Sequence, residues 1–263
     1  ERVVLQGVVH GVRRLHHVAV THETRTLFAA WVRDLFGRHV KRVGFAPKAD
    51  EPVDDKLLRS SLVLPLAYMG RDTELRSRAS VLTEAFLKTP TAVPSEVLSQ
   101  ALPATAWDGD IDLWTRFQKA LVTTTDPVSR VAIIGALGSF EDPAILERSL
   151  DLVLSGGLKP QDFRSLGRGI DDRTRDRAWM WMTRNYDALI EVMGDEYRTL
   201  LPWMGNGFCT DADRERVDSF FKAPARRPRG TERNVGLVIE NITRCSRLRG
   251  SVRPRLARWL KNR

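Results

Sequence analysis

The sequence predicts an all-α fold, a superhelical solenoid of antiparallel helix pairs similar to HEAT or armadillo repeats. Three observations predict it. Apolar residues recur at helical spacing along most of the chain, short turns separate helices of similar length, and no stretch longer than a few residues alternates as a half-buried strand would. The repeats are degenerate, with a period of about 30 to 40 residues, which is typical of HEAT-type arrays.

The first half of the chain contains two predicted helix pairs and the start of a third. The first pair turns near Thr21 and the second turns at Gly70-Arg71-Asp72. Pro90 ends the second pair, Pro94 opens the next helix, and the helical pattern continues after Asp110. The apolar positions of these helices are Val4, Leu5, Val8, Val12 and Leu15; Leu27, Phe28, Trp31, Val32, Leu35 and Phe36; Leu57, Leu58, Leu62, Leu66 and Met69; Leu75, Ala79, Leu82, Ala85, Phe86 and Leu87; and Leu113, Trp114, Phe117, Ala120 and Leu121.

The clearest helix pair lies between Asp126 and Ser155. Asp126 and Asp142 are predicted N-caps, because each carboxylate can accept from exposed backbone N–H groups and each is followed by a proline. Gly156-Gly157 ends the second helix of the pair. Less regular pairs are predicted over 160–166 with 173–193, 196–204 with 211–221, and 232–249 with 253–260.

One helical-repeat domain is expected over residues 1–263, as the C-terminal fragment of a longer chain, since the sequence begins at Glu1 without an initiator Met or a leader. Looser internal links are predicted near 44–54 and 223–230, where glycine, proline and charged residues interrupt the helical pattern. No apolar run approaches the roughly 20 residues needed to cross a bilayer.

The two cysteines, Cys209 and Cys245, are too few for a disulfide framework. They are predicted to be free thiols in a reducing compartment, and the expected location is therefore cytoplasmic.

The net charge of +9 is concentrated at the C-terminal end. Residues 222–263 hold thirteen Lys and Arg against two Glu, a net of +11, so the first 221 residues carry about −2. Such a cluster could bind nucleic acid, an anionic membrane surface or an acidic partner domain. A solvated, arginine-rich helical face is the alternative, because no aromatic platform accompanies the cluster.

No group of residues in the sequence has the spacing of a catalytic or metal site. His22-Glu23 opens a zincin-like pattern, but Thr26 stands where its second histidine belongs. There is no Gly-x-Ser-x-Gly and no phosphate loop, and Gly167-Arg168-Gly169 is interpreted as a helix end. We therefore predict no catalytic, cofactor-binding or metal-binding residue and no cofactor in this segment, and substrate-binding residues stay unassigned. The five histidines, interpreted as surface or packing residues, are His10, His16, His17, His22 and His39.

Paired carboxylates and tryptophans are interpreted as structural. Asp54-Asp55 and Asp171-Asp172 are placed at turns before helices, where aspartate caps a helix or complements its dipole. Most tryptophans occupy core-facing helical positions, which favours packing between helices. They are Trp107, Trp114, Trp179, Trp181, Trp203 and Trp259.

Three stretches match a known family in their order and spacing. The first is Gly44-Phe45 followed by Asp54-Asp55-Lys56-Leu57-Leu58-Arg59, similar to a family opening of Leu-Gly-Trp, Glu and Leu-Leu-Arg. The second comprises Thr123, Asp126-Pro127, Arg130, Ala136-Leu137-Gly138, Asp142-Pro143, Leu150, Leu154 and Gly156. The third comprises Ala178-Trp179, Trp181, Asn185-Tyr186, Leu189, Val217-Asp218-Ser219-Phe220-Phe221, Glu240, Ile242 and Trp259-Leu260. Together they resemble the C-terminal helical domain of the M1 zinc aminopeptidases, which include the puromycin-sensitive and endoplasmic-reticulum enzymes.

This resemblance implies a solenoid packed against a thermolysin-like catalytic domain of the same polypeptide. It implies that the concave face closes over the active site and contributes to binding a peptide substrate. The family's zinc-binding His-Glu-x-x-His and its Gly-x-Met-Glu-Asn segment are missing from this sequence. Zinc is therefore expected in the catalytic domain upstream, this segment alone is not expected to be an enzyme, and nucleic acid is an unlikely ligand. The alternative is a free-standing helical-repeat scaffold that uses its basic C-terminal face to bind nucleic acid or an acidic protein.

Overall fold

Helices make up all the regular secondary structure in the described part of the chain, which comprises residues 2–227 and 229–263 of a computed structural model. Glu1, where the sequence begins, and Pro228, inside the predicted link 223–230, lie outside the described residues. The α-helices are α1 (Arg2–Ala19), α2 (Arg25–Val43), α3 (Val53–Met69), α4 (Thr73–Lys88), α5 (Ser95–Ala106), α6 (Ile111–Thr123), α7 (Pro127–Leu137), α8 (Pro143–Leu154), α9 (Phe163–Gly167), α10 (Arg175–Arg184), α11 (Tyr186–Tyr197), α12 (Asp211–Lys222) and α13 (Glu232–Lys261). Short 3₁₀ segments span Pro90–Ala92, Pro160–Asp162, Arg198–Gly205 and Pro224–Arg226. The all-α class is thus confirmed, and the superhelical arrangement stays a prediction.

The later helix pairs differ from prediction at three places. Residues 173–193 form two helices that meet at Asn185, and residues 198–204 of the predicted helix 196–204 lie in the 3₁₀ segment Arg198–Gly205. The two helices predicted over 232–249 and 253–260 are one helix, α13, with Pro254 inside it. Proline removes only one helical hydrogen bond there, and the turn that follows is held because Leu256 and Leu260 are buried.

The described residues form two compact units, 2–105 with 250–263, and 106–227 with 229–249. In the first unit, α3 packs against both α1 and α2. The end of α13 packs on α2, where the rings of Trp31 and Trp259 meet edge to face with centroids 5.3 Å apart. The single repeat domain expected over 1–263 stays a prediction.

A buried ion pair fixes the link between α2 and α3. Arg59 is only 3% exposed, and its guanidinium donates to both carboxylate oxygens of Glu51 and, through Nε and Nη2, to the carbonyl oxygen of Val43 at 3.1 and 2.8 Å. These hydrogen bonds lower the pKa of the Glu51 carboxyl to about 2. Gly44 follows with φ of 70°, so the chain leaves α2 in a conformation that favours glycine. Arg59, the last residue of the first family-like stretch, therefore holds the end of α2 in place.

In the second unit, an aromatic cluster forms much of the core. Trp179 lies edge-on to Phe208, Phe220 and Phe221, with ring centroids 5.7 to 6.2 Å apart. Tyr186 packs on Phe220 and Phe221 and donates its hydroxyl to the Arg226 carbonyl at 2.9 Å. Burial is the main cause that raises the pKa of Tyr186 to about 12, so the hydroxyl stays a donor. Four residues of the third family-like stretch, Trp179, Tyr186, Phe220 and Phe221, are thus packing residues.

Cys209 and Cys245 form a disulfide, so the prediction of two free thiols is wrong. The fold brings their Cα atoms to 5.0 Å, inside the range that a disulfide bridges. A separation of 36 residues gives no sign of this proximity in the sequence.

No helix in the described ranges is both long enough and apolar enough to span a bilayer.

The predicted caps are confirmed. Asp126 accepts from the backbone N–H and the hydroxyl of Ser129 at 2.9 and 2.6 Å, and Asp142 accepts from the N–H groups of Ala144 and Ile145 at 2.8 and 3.2 Å. Each aspartate precedes a proline at the first helical position.

Replacing the cap of α8 by alanine is expected to destabilise the protein. We expect Asp142→Ala to lower the free energy of unfolding by about 0.5–2 kcal/mol, because two backbone donors lose their acceptor. The matching change Asp126→Ala should act in the same direction. Chemical denaturation measures both, with Asp142→Asn as the control, because asparagine also caps. Equal stability of the alanine and asparagine variants would contradict the assigned role.

Candidate functional site

The histidines and Glu23, in and between the first two helices, make packing contacts and local hydrogen bonds or are exposed. His16 packs against the rings of Phe28 and Tyr68, with centroids 5.6 and 5.3 Å apart. His39 is buried and accepts from Arg38 Nε at 3.1 Å, while His10 and His22 are exposed. Glu23, in the incomplete zincin-like pattern, accepts from the Thr21 hydroxyl, which lowers the pKa of its carboxyl.

The paired carboxylates also act locally. Asp54 and Asp55 lie in the first turn of α3 and contact Arg2 and Arg42. Asp171 accepts from the backbone N–H of Arg173 at 2.8 Å in the turn before α10. Neither pair caps its helix, because the N-cap positions of α3 and α10 are Pro52 and Thr174; Asp54 and Asp55 lie inside the first turn of α3, where they complement the helix dipole.

Several cations of the basic C-terminal end are engaged within the fold. Arg244 pairs with Glu240 one turn earlier at 2.5 Å, and Arg226 lies over the ring of Phe220 at 4.3 Å. Arg263 approaches Asp34 at 3.3 Å. These contacts are typical of a charged helical surface that is partly neutralised by its own fold.

The second unit contains a cavity of about 480 Å³ with an apolar floor and a cationic rim. Three arginines and one exposed indole line it, together with apolar side chains and one amide, and no carboxylate belongs to the lining. The lining residues are Phe163, Arg164, Gly167, Arg168, Ile170, Arg175, Leu200, Trp203, Met204 and Asn206. We call this feature the arginine cavity.

One wall of the arginine cavity is α9, and both of its ends are fixed to α7. At its start, Asp162 accepts from Arg130 of α7 at 2.5 Å. After its end, Gly169 lies against the last turn of α7, where an added Cβ would stand 2.4 Å from the carbonyl carbon of Gly138. A Cβ on Gly138 would stand 2.0 Å from the carbonyl oxygen of Leu166. Only glycine allows two backbones to approach this closely. Arg130 and Gly138 belong to the second family-like stretch, so that stretch positions the wall.

The opposite wall is the 3₁₀ segment Arg198–Gly205 with Asn206. Gly205 rests on the core, since a Cβ there would lie 2.9 Å from Val217 and 3.2 Å from Trp179. Asn206 accepts from the Asn241 amide of α13 at 3.1 Å. The aromatic cluster therefore supports this wall from below.

The three arginines differ in how they are held. Arg164 and Arg168 are exposed on α9 and just after it, and neither has an ion-pair partner within residues 2–227 and 229–263. Arg175 of α10 is half-buried, and its guanidinium packs on Gly207, whose φ of 96° and missing side chain leave room for it. Such guanidinium groups above an apolar floor suit a ligand that joins a carboxylate or phosphate to an apolar group.

The residues that line the arginine cavity were not predicted from the sequence. Inward-facing arginines are expected for a peptide-binding face, but the sequence does not tell which arginines face inward. Gly167-Arg168-Gly169 does end a helix as interpreted, yet the arginine at its centre lines the cavity. Trp203, assigned to packing, is 36% exposed at the cavity.

Comparison with known proteins identifies the family. Residues 1–244 match the family described as the ERAP1-like C-terminal domain. The chain is 24% identical over 230 residues to aminopeptidase N of Lactococcus lactis subsp. cremoris (strain MG1363), covering 84% of this chain and 27% of that protein. It is 25% identical over 215 residues to aminopeptidase M1-A of Oryza sativa subsp. japonica, covering 80% and 24%. It is 20% identical over 230 residues to mitochondrial aminopeptidase 2 of Saccharomyces cerevisiae (strain ATCC 204508 / S288c), covering 84% and 24%.

The chain spans about a quarter of the length of these relatives, and the part it matches is their C-terminal part. Of the three stretches that resemble M1 aminopeptidases, the first holds the end of α2 through Arg59, the second supplies the caps of α7 and α8 and the contacts of α9, and the third supplies much of the aromatic cluster. The chain belongs to the family of ERAP1-like C-terminal domains of the M1 aminopeptidases.

Proposed function

We propose that this chain is a non-catalytic domain that closes over the active site of an M1 zinc aminopeptidase and helps to bind its peptide substrate. The arginine cavity is the observation that carries this proposal. A peptide beyond its first residues offers apolar side chains and ends in a carboxylate, and the cavity offers partners for both. In this proposal zinc and the catalytic groups reside in the catalytic portion, and the longer protein works in the cytoplasm.

The free-standing scaffold is not favoured, because the family match covers most of the chain.

Carboxylate recognition can be tested by comparing peptides that differ only at the C-terminus. A peptide ending in an apolar residue with a free carboxylate should bind the chain roughly 10-fold or more tightly than its C-terminal amide, because hydrogen bonds to charged groups contribute about 1.5–3 kcal/mol. Isothermal titration calorimetry gives both affinities.

Filling the cavity should abolish this discrimination. Gly167 has no atom within 4 Å of an added Cβ, so Gly167→Trp should place its ring in the cavity with little strain. Two controls accompany it. Gly167→Ala adds little volume at the same place, and Gly236→Trp adds an indole at another open glycine of the same unit outside the cavity lining. If Gly167→Trp folds and still prefers the free acid, the arginine cavity is not the peptide site.

The partner of this domain is proposed to be the catalytic portion of the same polypeptide. Val3 and Val4 of α1 are 70% and 69% exposed, and Leu57 of α3, which packs against α1, is also exposed. Exposed apolar side chains of this kind are typical of an interface with another domain. We therefore expect the catalytic portion to cover part of residues 3–36.

Hydrogen exchange can locate that interface. Adding the catalytic portion in trans should slow amide exchange in α1, since a covered segment opens less often. Residues around Val128, an exposed apolar side chain on α7, serve as the internal control. Protection of α7 alone would show that the interface lies at α7 and not at α1. A folded partner in excess that protects no segment would argue against the domain function.

A further inference from the structure

A disulfide ties one wall of the arginine cavity to α13. Residues 206–211 follow the wall segment Arg198–Gly205 and run beside α13. Three links join the two in order: the Asn206–Asn241 hydrogen bond at 3.1 Å, the Cys209–Cys245 disulfide, and the Asp211–Ser246 hydrogen bond at 3.1 Å. The covalent link is the central one of the three.

The disulfide lies close to Arg175, one of the three arginines of the cavity. Cys209 stands two residues after Gly207, on which the guanidinium of Arg175 packs. A Cβ at Gly207 would come within 2.7 Å of that guanidinium, so even a small displacement of the segment changes where Arg175 can lie. Asn206 lines the cavity itself. Movement of the disulfide would therefore change the positions of two cavity residues, Asn206 and Arg175.

Other contacts should keep the segment folded when the disulfide is opened. Phe208 is buried against Trp179, and the guanidinium of Arg216 lies over its ring, 4.3 Å from the ring centroid. The Thr210 hydroxyl and the Asp213 carboxylate cap α12 reciprocally. Cleavage of the disulfide would thus loosen residues 206–209 without unfolding the unit.

Cys245 is the more exposed of the two cysteines. Cys209 is only 2% exposed, whereas Cys245 is half-buried on α13 beside the exposed Arg244 and Arg247. Thiol–disulfide exchange requires a thiolate to reach one sulfur, and neighbouring cations favour the approach of an anion. We therefore expect exchange to begin at Cys245 rather than at the buried Cys209.

We propose that the Cys209–Cys245 disulfide is a redox-controlled tie that sets the peptide affinity of the arginine cavity, a regulation that rests on the proposed peptide-binding function. A dithiol supplies two electrons and two protons. Its thiolate attacks Cys245 Sγ, the bond to Cys209 breaks, and Cys209 leaves as a thiolate that takes a proton. The second thiol of the dithiol then displaces Cys245, which also becomes a thiol, and the dithiol is released as a cyclic disulfide. The freed segment lets Gly207 and Arg175 move apart.

The test compares the oxidised chain with the chain reduced by dithiothreitol, with alkylation and mass analysis to count thiols. Reduction should leave the helical circular dichroism unchanged and speed amide exchange in residues 206–209 several-fold. It should weaken binding of the free-acid peptide at least five-fold. The double variant Cys209→Ser with Cys245→Ser should behave like the reduced chain and should not respond to dithiothreitol.

The possible failures are distinguishable. Unchanged exchange in residues 206–209 after complete reduction would overturn the tie. Loss of the helical signal would also overturn it, because the disulfide would then be a general structural bond. Faster exchange with equal peptide affinity in both states would overturn the regulation. Faster exchange with no peptide binding in either state would support the tie and reject the proposed peptide-binding function.

Discussion

Replacing Arg59 by methionine should lower the free energy of unfolding by about 3–5 kcal/mol, the cost of removing one partner from a buried ion pair. Methionine keeps most of the side-chain volume but removes every donor. The Glu51 carboxylate and the Val43 carbonyl would then be left without the hydrogen bonds that Arg59 provides. Val43 ends α2, and the last carbonyls of a helix have no partner within it. Chemical denaturation at neutral pH measures the loss.

Lys56→Met is the matched control for Arg59→Met. Lys56 lies one turn earlier on α3 and pairs with Glu96 in the open, its side chain being 53% exposed. Exposed pairs contribute about 0–1 kcal/mol, so this variant should be nearly as stable as the parent. Similar losses in both variants would contradict the special role of the Arg59 pair.

The stability that Arg59 provides should also depend on pH. The folded pKa of Glu51, about 2, lies below the unfolded value of about 4.3. The pair therefore contributes fully above the unfolded pKa, and its contribution falls as pH drops through the folded pKa. The stability gap between parent and Arg59→Met should narrow between about pH 5 and pH 2. A gap that stays constant over this range would show that Glu51 is not the main partner of Arg59.

Gly138→Ala is expected to be the second most damaging change, at about 2–3 kcal/mol or more, because overpacking of a rigid contact displaces backbone. The new Cβ would stand 2.0 Å from the carbonyl oxygen and 3.0 Å from the carbonyl carbon of Leu166, and neither atom belongs to a side chain that can turn away. α9 must shift, so Arg164 and Arg168 move with it. Denaturation and peptide titration should therefore both register the change.

Gly135→Ala, on the same helix, is the control, and it is expected to raise the free energy of unfolding where Gly138→Ala lowers it. Its Cβ would meet only the Ser165 carbonyl oxygen at 3.8 Å, an ordinary contact. Within a helix, alanine is more favourable than glycine by roughly 0.5–1 kcal/mol, so this variant should be slightly more stable than the parent. If both alanine variants are equally stable, the close contact between α7 and α9 is not rigid.

Local features of the fold were predictable because they depend on neighbours in sequence. Asp126 and Asp142 cap the helices expected of them, since an aspartate followed by proline specifies a helix start within four residues. Pro254 misled the prediction, because a proline breaks an isolated helix but is tolerated where packing holds the next turn.

Long-range features were not predictable. The pairing of Cys209 with Cys245 and the contact of Gly138 with Leu166 depend on where distant helices meet, which no local pattern encodes. The candidate site could not be predicted for the same reason. Its arginines come from α9, α10 and the turn between them, and only the fold shows that they line one cavity with Trp203.

The anchoring of α9 at its two ends separates the residues that build the wall from those that meet a ligand. Asp162 and Gly169 make the fixing contacts, whereas Arg164, Gly167 and Arg168 face the cavity between them. Substitutions at these three positions can therefore accumulate during evolution without a loss of folding. Under the proposed function, related domains could diverge in the peptides they bind while keeping one scaffold, and a designer can randomise the same three positions to select new ligands.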